Sequence, residues 1–252
     1  MFNLETLISD PHNRKARLQP ALLTLLPVLA ASVLLVPEIQ SSWGGAIGVL
    51  VYCGGAMWLT QLGRDRGKAL EPTLFKAWGG KPSVAMLRHR DSRISKTTKE
   101  RYRAFLERRI PDLKLASQED ENRAPANADD GYESATAWLL AKTRDRERFR
   151  LIFEENINYG FRRNIWALKP LALTVDALLI SAKLTTVATA SSGTTRATLE
   201  MIDKSTWAAV MLTLGHMLTF ALVVRRDWVR TTADAYAQQL LATCDILDSS
   251  DN

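Results

Sequence analysis

Ala21-Leu22-Leu23-Thr24-Leu25-Leu26-Pro27-Val28-Leu29-Ala30-Ala31-Ser32-Val33-Leu34-Leu35-Val36, bounded by Pro20 and Pro37, decides the fold of this chain. It carries no charge, and its apolar residues cover every face of a helix, the pattern of a segment with apolar surroundings on all sides. Crossing a bilayer takes ~20 such residues at ~1.5 Å each. Three more stretches approach that length, Trp43 to Leu62, Ile165 to Leu184 and Trp207 to Val224, and the four fall in two pairs around a long polar middle. The expected fold is all-α: an integral membrane protein with about four transmembrane helices in two hairpins and a cytoplasmic helical insert. The third stretch leaves its full crossing open, because it holds Lys169, Asp176 and Lys183.

Flanking charge tests the topology independently, since Lys and Arg collect on the cytoplasmic side of membrane helices. Arg14, Lys15 and Arg17 precede the first stretch, and Arg64, Arg66 and Lys68 follow the second. Arg162 and Arg163 precede the third; Arg225, Arg226 and Arg230 follow the fourth. With four crossings all of these fall on one side, so both termini and the polar middle are expected in the cytoplasm, most simply at a bacterial inner membrane. The other side receives a short loop around Glu38 to Ser42 and a Thr/Ser-rich loop from about Thr185 to Ser205. Trp43, Trp166, Trp207 and Trp228 stand near the expected interfaces, where an indole is favoured. The segments are then 1–68 with the first hairpin, 69–163 as a helical module with an acidic linker near 117–131, 164–230 with the second hairpin, and 231–252 as a cytoplasmic helix.

Three other readings of the apolar stretches compete. A cleaved signal peptide also begins basic then apolar, but no A-x-A-like site follows Val36. A soluble helical bundle is consistent with the mildly negative mean hydropathy, yet not with a first stretch apolar all round. Two true spans with a second pair lying on the membrane also fits. The net charge of +6 is expected to serve orientation and contact with anionic headgroups rather than nucleic acid. Cys53 and Cys244 are too few for a disulfide framework or a zinc site. No metal and no cofactor is expected.

In the polar middle, Trp78-Gly79-Gly80-Lys81-Pro82 marks a turn. Thr97 followed by Glu100 reads as a capping box, and Tyr102, Phe105, Leu106 and Ile110 form an apolar face ending at Pro111. The residues Arg88, Arg90, Arg93, Lys99, Arg101, Arg103 and Arg108 give this helix and its approach a basic outer face, a candidate surface for lipid headgroups or a phosphate-bearing ligand. No phosphate loop accompanies it. The acidic stretch from Ser117 to Asp130 reads as an exposed linker, and helices are expected around Tyr132 to Lys142 and from about Asp145 onward.

Trp78-Gly79-Gly80-Lys81-Pro82, Leu87-Arg88-His89-Arg90-Asp91, Thr98-Lys99-Glu100-Arg101-Tyr102 and Glu154-Glu155-Asn156-Ile157-Asn158-Tyr159-Gly160-Phe161-Arg162-Arg163-Asn164 together resemble a group of uncharacterised bacterial multi-pass membrane proteins. The resemblance covers roughly 74–170 and implies no activity or catalytic residue. In layout alone the chain is also similar to bacterial defence effectors with four membrane helices.

Lys169, Asp176 and Lys183 are spaced by seven, so on a helix they drift by only about 20° per step and share a face. An ionised side chain at mid-bilayer costs at least ~2.5–3.5 kcal/mol and needs a partner or water. His216, with Thr213 and Thr219 on its side of the fourth stretch, sits about as deep as Asp176, ~15 Å at ~1.5 Å per residue. An Asp–His contact across the hairpin follows. It serves either as a helix-to-helix hydrogen bond or as part of a hydrated ion path or proton-sensitive gate.

Two functions remain open on this reading. One is an oligomeric, channel-like effector with a cytoplasmic sensing module. The other is a non-conducting anchor whose basic helix binds a cytoplasmic protein or nucleotide. The small residues Gly44, Gly48, Gly54 and Gly55 in the second stretch favour a homo-oligomer. The histidines His12, His89 and His216 are dispersed and no nucleophile motif is present, so no enzyme is expected.

Overall fold

The computed structural model of the chain describes residues 9–36, 42–190 and 203–249; of the loops expected around Glu38 to Ser42 and from about Thr185 to Ser205, residues 37–41 and 191–202 lie outside them, while 185–190 and 204–205 are helical rather than loop. Every regular element in the described residues is helical. After a short turn at Pro11–Asn13 and a π-helical turn at Arg14–Leu18 come α1 (Gln19–Leu35), α2 (Ser42–Ala77), α3 (Pro82–Ala85), α4 (Lys96–Arg109), α5 (Gln118–Arg123), α6 (Pro125–Lys142), α7 (Arg150–Ala190), α8 (Lys204–Leu222) and α9 (Arg226–Ser249). Four helices are long and apolar enough to cross a membrane, carried by Pro11–Leu35, Trp43–Ala85, Arg150–Thr186 and Lys204–Leu222. The protein is thus an all-α, multi-pass membrane protein.

The chain divides into two compact units, one of 1–69 with 160–229 and one of 70–159 with 230–252. The first unit holds the apolar helices. Ala21, Leu59 and Leu168 make one small core and Ile165, Ala172, Phe220 and Val224 another. Their outward faces stay apolar: Ile47 and Leu50 of α2 are 61% and 72% exposed, and Leu218 and Leu222 of α8 58% and 66%. Such continuous exposed apolar surface suits lipid, not water. α2 and α7 approach closely because glycine sits where they touch. A Cβ on Gly63 would stand 3.0 Å from Leu168, and one on Gly67 2.4 Å from Asn164 Oδ1.

The second unit is built around Tyr132, Phe105, Met86, Leu87, Leu106, Leu139, Leu240 and Leu241, each fully or nearly fully buried. α2 ends in a Schellman turn. Gly80 N–H donates to Phe75 O at 2.7 Å and Gly79 N–H to Lys76 O at 3.3 Å, which requires the positive φ of 81° at Gly79. The N-cap of α4 is Ser95, whose hydroxyl accepts from Thr98 N–H, so the helix starts two residues earlier than a Thr97 capping box implies.

The acidic linker expected near 117–131 is instead helical. Ser117 caps α5, and Glu119, Asp120 and Glu121 occupy its first turn, where carboxylates oppose the positive end of the helix dipole. Pro125 opens α6 at a position whose N–H has no helical partner in any case. At the end of the fourth stretch, Val223 to Arg225 separate α8 from α9.

Candidate functional site

Two prolines in α1 prepare the site. An α-helix bonds each N–H to the carbonyl four residues back, and proline has none to give. Pro20 therefore leaves Ala16 O without its ordinary donor, and Pro27 does the same to Leu23 O. Both vacated carbonyls are filled by side chains of other helices in the first unit. Asn164 Nδ2 of α7 donates to Ala16 O at 2.7 Å, and His216 Nε2 of α8 lies 3.0 Å from Leu23 O. Ala16 and Leu23 are seven residues apart and share one face of the entering helix. In hydrocarbon, where no water can satisfy a backbone carbonyl, these bonds fasten α1 to its neighbours.

The second ring nitrogen of His216, Nδ1, is 2.8 Å from Asp176 Oδ2, with the aspartate side chain wholly buried and the imidazole 7% exposed. The other aspartate oxygen, Oδ1, is buried without a hydrogen-bond partner among the described residues. Phe220 packs on the imidazole with ring centroids 4.4 Å apart. His216 and Thr219 also border an apolar groove of ≈ 410 Å³.

The remaining residues of the expected membrane seam have separate fates. Thr213 and Thr219 turn their hydroxyls back to Ala209 O and Gly215 O, both at 2.8 Å, on their own helix. Lys169 reaches Ala221 O at 3.1 Å and Val224 O at 2.8 Å, a cation on the carbonyl end of α8. Lys183 borders a small apolar cavity with Ala31 and Val210. Of the three charges expected on one face of this helix, Asp176 pairs with His216 while Lys169 turns to the end of α8.

The expected basic face belongs to the second unit, and there the structure requires a correction. Arg88, Lys99 and Arg103 are buried, not outward. Arg88 grips Asp129 through Nε and Nη2 at 2.8 and 2.7 Å and reaches Gly79 O at 2.6 Å. Lys99 Nζ bonds Arg88 O and Asp91 O. Arg103 bonds Leu87 O, Ala116 O and Tyr132 Oη, and Tyr132 in turn donates to Glu121. Arg93 joins Asp91 and Asp234, while the exposed Arg101 and Arg108 pair with Asp245 and Asp248 of α9. Arg90 is exposed.

The physical reason is the partner set. Loop carbonyls and acidic residues distant in sequence consume the charges that composition alone assigns to a ligand. Burial lowers the Lys99 pKa. Burial also acts against the Asp91 carboxylate, but the hydrogen bonds and charge of Arg93 outweigh it and hold its pKa below the ordinary value. Burial pushes the Cys244 thiol up to about 12, so it packs as an apolar group and is not a reactive thiol.

Sequence reasoning passed over Pro27 with Leu23, Asn164 with Ala16, and the acidic residues of α9. The signals were present: a proline inside an apolar run names the carbonyl it strands, and Asp234, Asp245 and Asp248 border the apolar stripe of α9. No protein-family model, curated protein or solved structure matches the chain.

Proposed function

We propose that this membrane protein is a proton-sensitive effector, an assembly of identical subunits in which Asp176, His216 and the Leu23 carbonyl hold α8 to α7 and α1 until a proton leaves them. The reading rests on one observation, that His216 uses both ring nitrogens at once. A carbonyl only accepts, so Nε2 must carry hydrogen. One more proton then lies between Nδ1 and Oδ2, either on the ring facing a carboxylate or on the acid facing a neutral ring. The pair is electrically neutral both ways.

Removing that proton sets a carboxylate oxygen against an imidazole lone pair. Should the ring change tautomer, a lone pair faces Leu23 O instead. One of the two bonds is lost in either case, and a single negative charge is left in hydrocarbon, where it favours water and rearrangement. A second proton added in acid leaves both ring N–H donors in place. The joint therefore holds at low pH and loosens as pH rises. Within the apolar stretches little else can answer in its place: α1 has no titratable side chain between Gln19 and Leu35, α8 adds Lys204 at its start, α7 from Ile165 onward adds Lys169 and Lys183, and the apolar part of α2 adds Tyr52 and Cys53. We infer that both termini face the cytoplasm of a bacterial cell from the four basic flanks.

Reconstitution into liposomes tests the reading. Ion flux through the wild-type protein should rise with pH. In Asp176→Asn an amide N–H can donate to Nδ1 without the mobile proton, so flux should stay low at every pH. His216→Ala should abolish the pH response. Vesicles that remain tight throughout, or an Asp176→Asn protein that follows pH like wild type, would overturn it.

A further inference from the structure

One face of α8 borders open space over most of its basic-side half. Leu212, His216, Phe220 and Val224 follow one another at four-residue spacing, the interval of a single ridge on a helix surface. All four line the apolar groove of ≈ 410 Å³. Leu23 and Leu26 of α1 supply another wall, and Trp228 lines the groove beyond Val224. Every one of these residues belongs to the first unit.

The surroundings and dimensions of the groove say what fills it. Its rim faces hydrocarbon, since Leu23, Leu26, Leu212 and Val223 are exposed on or directly beside helices apolar enough to cross a membrane. Its polar groups are already engaged: His216 uses both ring nitrogens, and the Thr219 hydroxyl donates to Gly215 O. A site that offers water no hydrogen bonds stays dry. Left empty, its walls would forfeit the dispersion contacts that an apolar chain restores.

The length is that of one leaflet. From Leu212 to Val224 the helix rises ~18 Å at ~1.5 Å per residue, against ~15 Å for half the hydrocarbon thickness. The end at Trp228 has the character of a headgroup boundary. Arg162 donates to Trp228 O at 2.8 Å and lies 4.8 Å from the centre of its ring system, and the exposed Arg225 and Arg226 stand between Val224 and Trp228 in the chain. An indole is favoured at that level, and cations there meet lipid phosphate.

We propose that this groove is a binding site for one acyl chain of a phospholipid from the leaflet on the basic side. The phosphate lies at the level of Arg225 and Arg226, and the chain runs along α8 as far as Leu212. It passes against His216 and Thr219 and so covers the imidazole on the side that faces the bilayer. The site needs only that the helices cross the membrane; it does not depend on the proton joint.

The test places the full chain in bilayer nanodiscs containing a phosphatidylglycerol with a photoactivatable diazirine midway along one acyl chain, and maps the adducts by mass spectrometry. In wild type, adducts should concentrate on Leu26, Leu212 and Thr219, above the level on Ile47 and Leu50 of α2, which are more exposed than Leu26 and Leu212 but do not line this groove. Thr219→Trp, which fills the groove from α8, should lose most of that labelling. Leu26→Trp, which fills it from α1, should act alike, so that misfolding of one variant leaves the other to decide. Leu218→Trp adds the same indole to an exposed position outside the groove and should keep wild-type labelling.

Equal labelling of the groove and of α2, or equal loss in Thr219→Trp and Leu218→Trp, would overturn the site in favour of ordinary lipid contact. A wild-type groove without adducts beside a labelled α2 would also overturn it, because another segment of the chain or a second copy would then cover the groove.

Discussion

Pro27 and His216 are complementary: the proline withholds the N–H that Leu23 O would accept within α1, and the histidine of α8 lies 3.0 Å from that same oxygen. A local defect in one helix thereby becomes an attachment point for another. Because the other face of the imidazole is committed to Asp176, the defect also fixes which nitrogen bears hydrogen.

Restoring the backbone donor should undo this. In Pro27→Ala, residue 27 can bond Leu23 O, and His216 loses its claim on α1. Helix propensity alone favours the change by up to about 3 kcal/mol, so the substituted protein should melt no lower than wild type at neutral pH. Its melting temperature should vary less between neutral and alkaline pH. A pH dependence equal to that of wild type would show that the carbonyl plays no part.

Close packing of α2 on α7 makes a second expectation that does not involve protons. Gly67→Ala brings a Cβ to 2.4 Å from Asn164 Oδ1, whereas a Cβ on Gly54 meets nothing within 4 Å. Overpacking of this kind costs about 1–3 kcal/mol. Thermal unfolding in detergent should show Gly67→Ala clearly destabilised and Gly54→Ala at or above wild type. Similar melting of the two variants would mean that the approach of the two helices is looser than described.

The second unit should be sensitive to acid through Asp91. Its folded pKa is held down against the opposing effect of burial by Arg93. The stabilisation is then complete above the unfolded value of ~3.9 and is lost as pH falls through the lower folded value. Asp234 is pushed up by burial and works the other way, so the informative quantity is a difference in slope. Near-ultraviolet circular dichroism during acid titration should show a shallower loss in Asp91→Asn than in wild type, from a lower starting stability. Parallel curves would assign acid sensitivity to other groups.

Much of the architecture is legible in the letters because lipid leaves the backbone few options. A chargeless run such as Leu22 to Val36 has to be a helix, and the equal depth of Asp176 and His216 follows from helical rise alone. The partners of α4 were not legible in the same way. Arg101 and Arg108 meet Asp245 and Asp248, residues more than a hundred positions away, and composition cannot say that an acidic helix will return to cover a basic one. The acidic stretch from Ser117 to Asp130 differs for a more local reason: it reads as an exposed linker, yet the Pro125 within it is the first residue of α6. Nothing in Val223-Val224-Arg225 contains the glycine or proline that would announce the break between α8 and α9, and the anchoring of α8's last carbonyls by Lys169 is what marks it.

The protonation of a single imidazole is the most direct test of the joint. Nitrogen NMR of isotope-labelled His216 in lipid bilayers, with the other two histidines His12 and His89 replaced, reads each ring nitrogen separately. The expected result is hydrogen on Nε2 wherever the bundle is intact, with Nδ1 sharing a proton with Asp176 and losing it as pH rises. Hydrogen on Nδ1 with Nε2 bare, in an intact bundle, would contradict it.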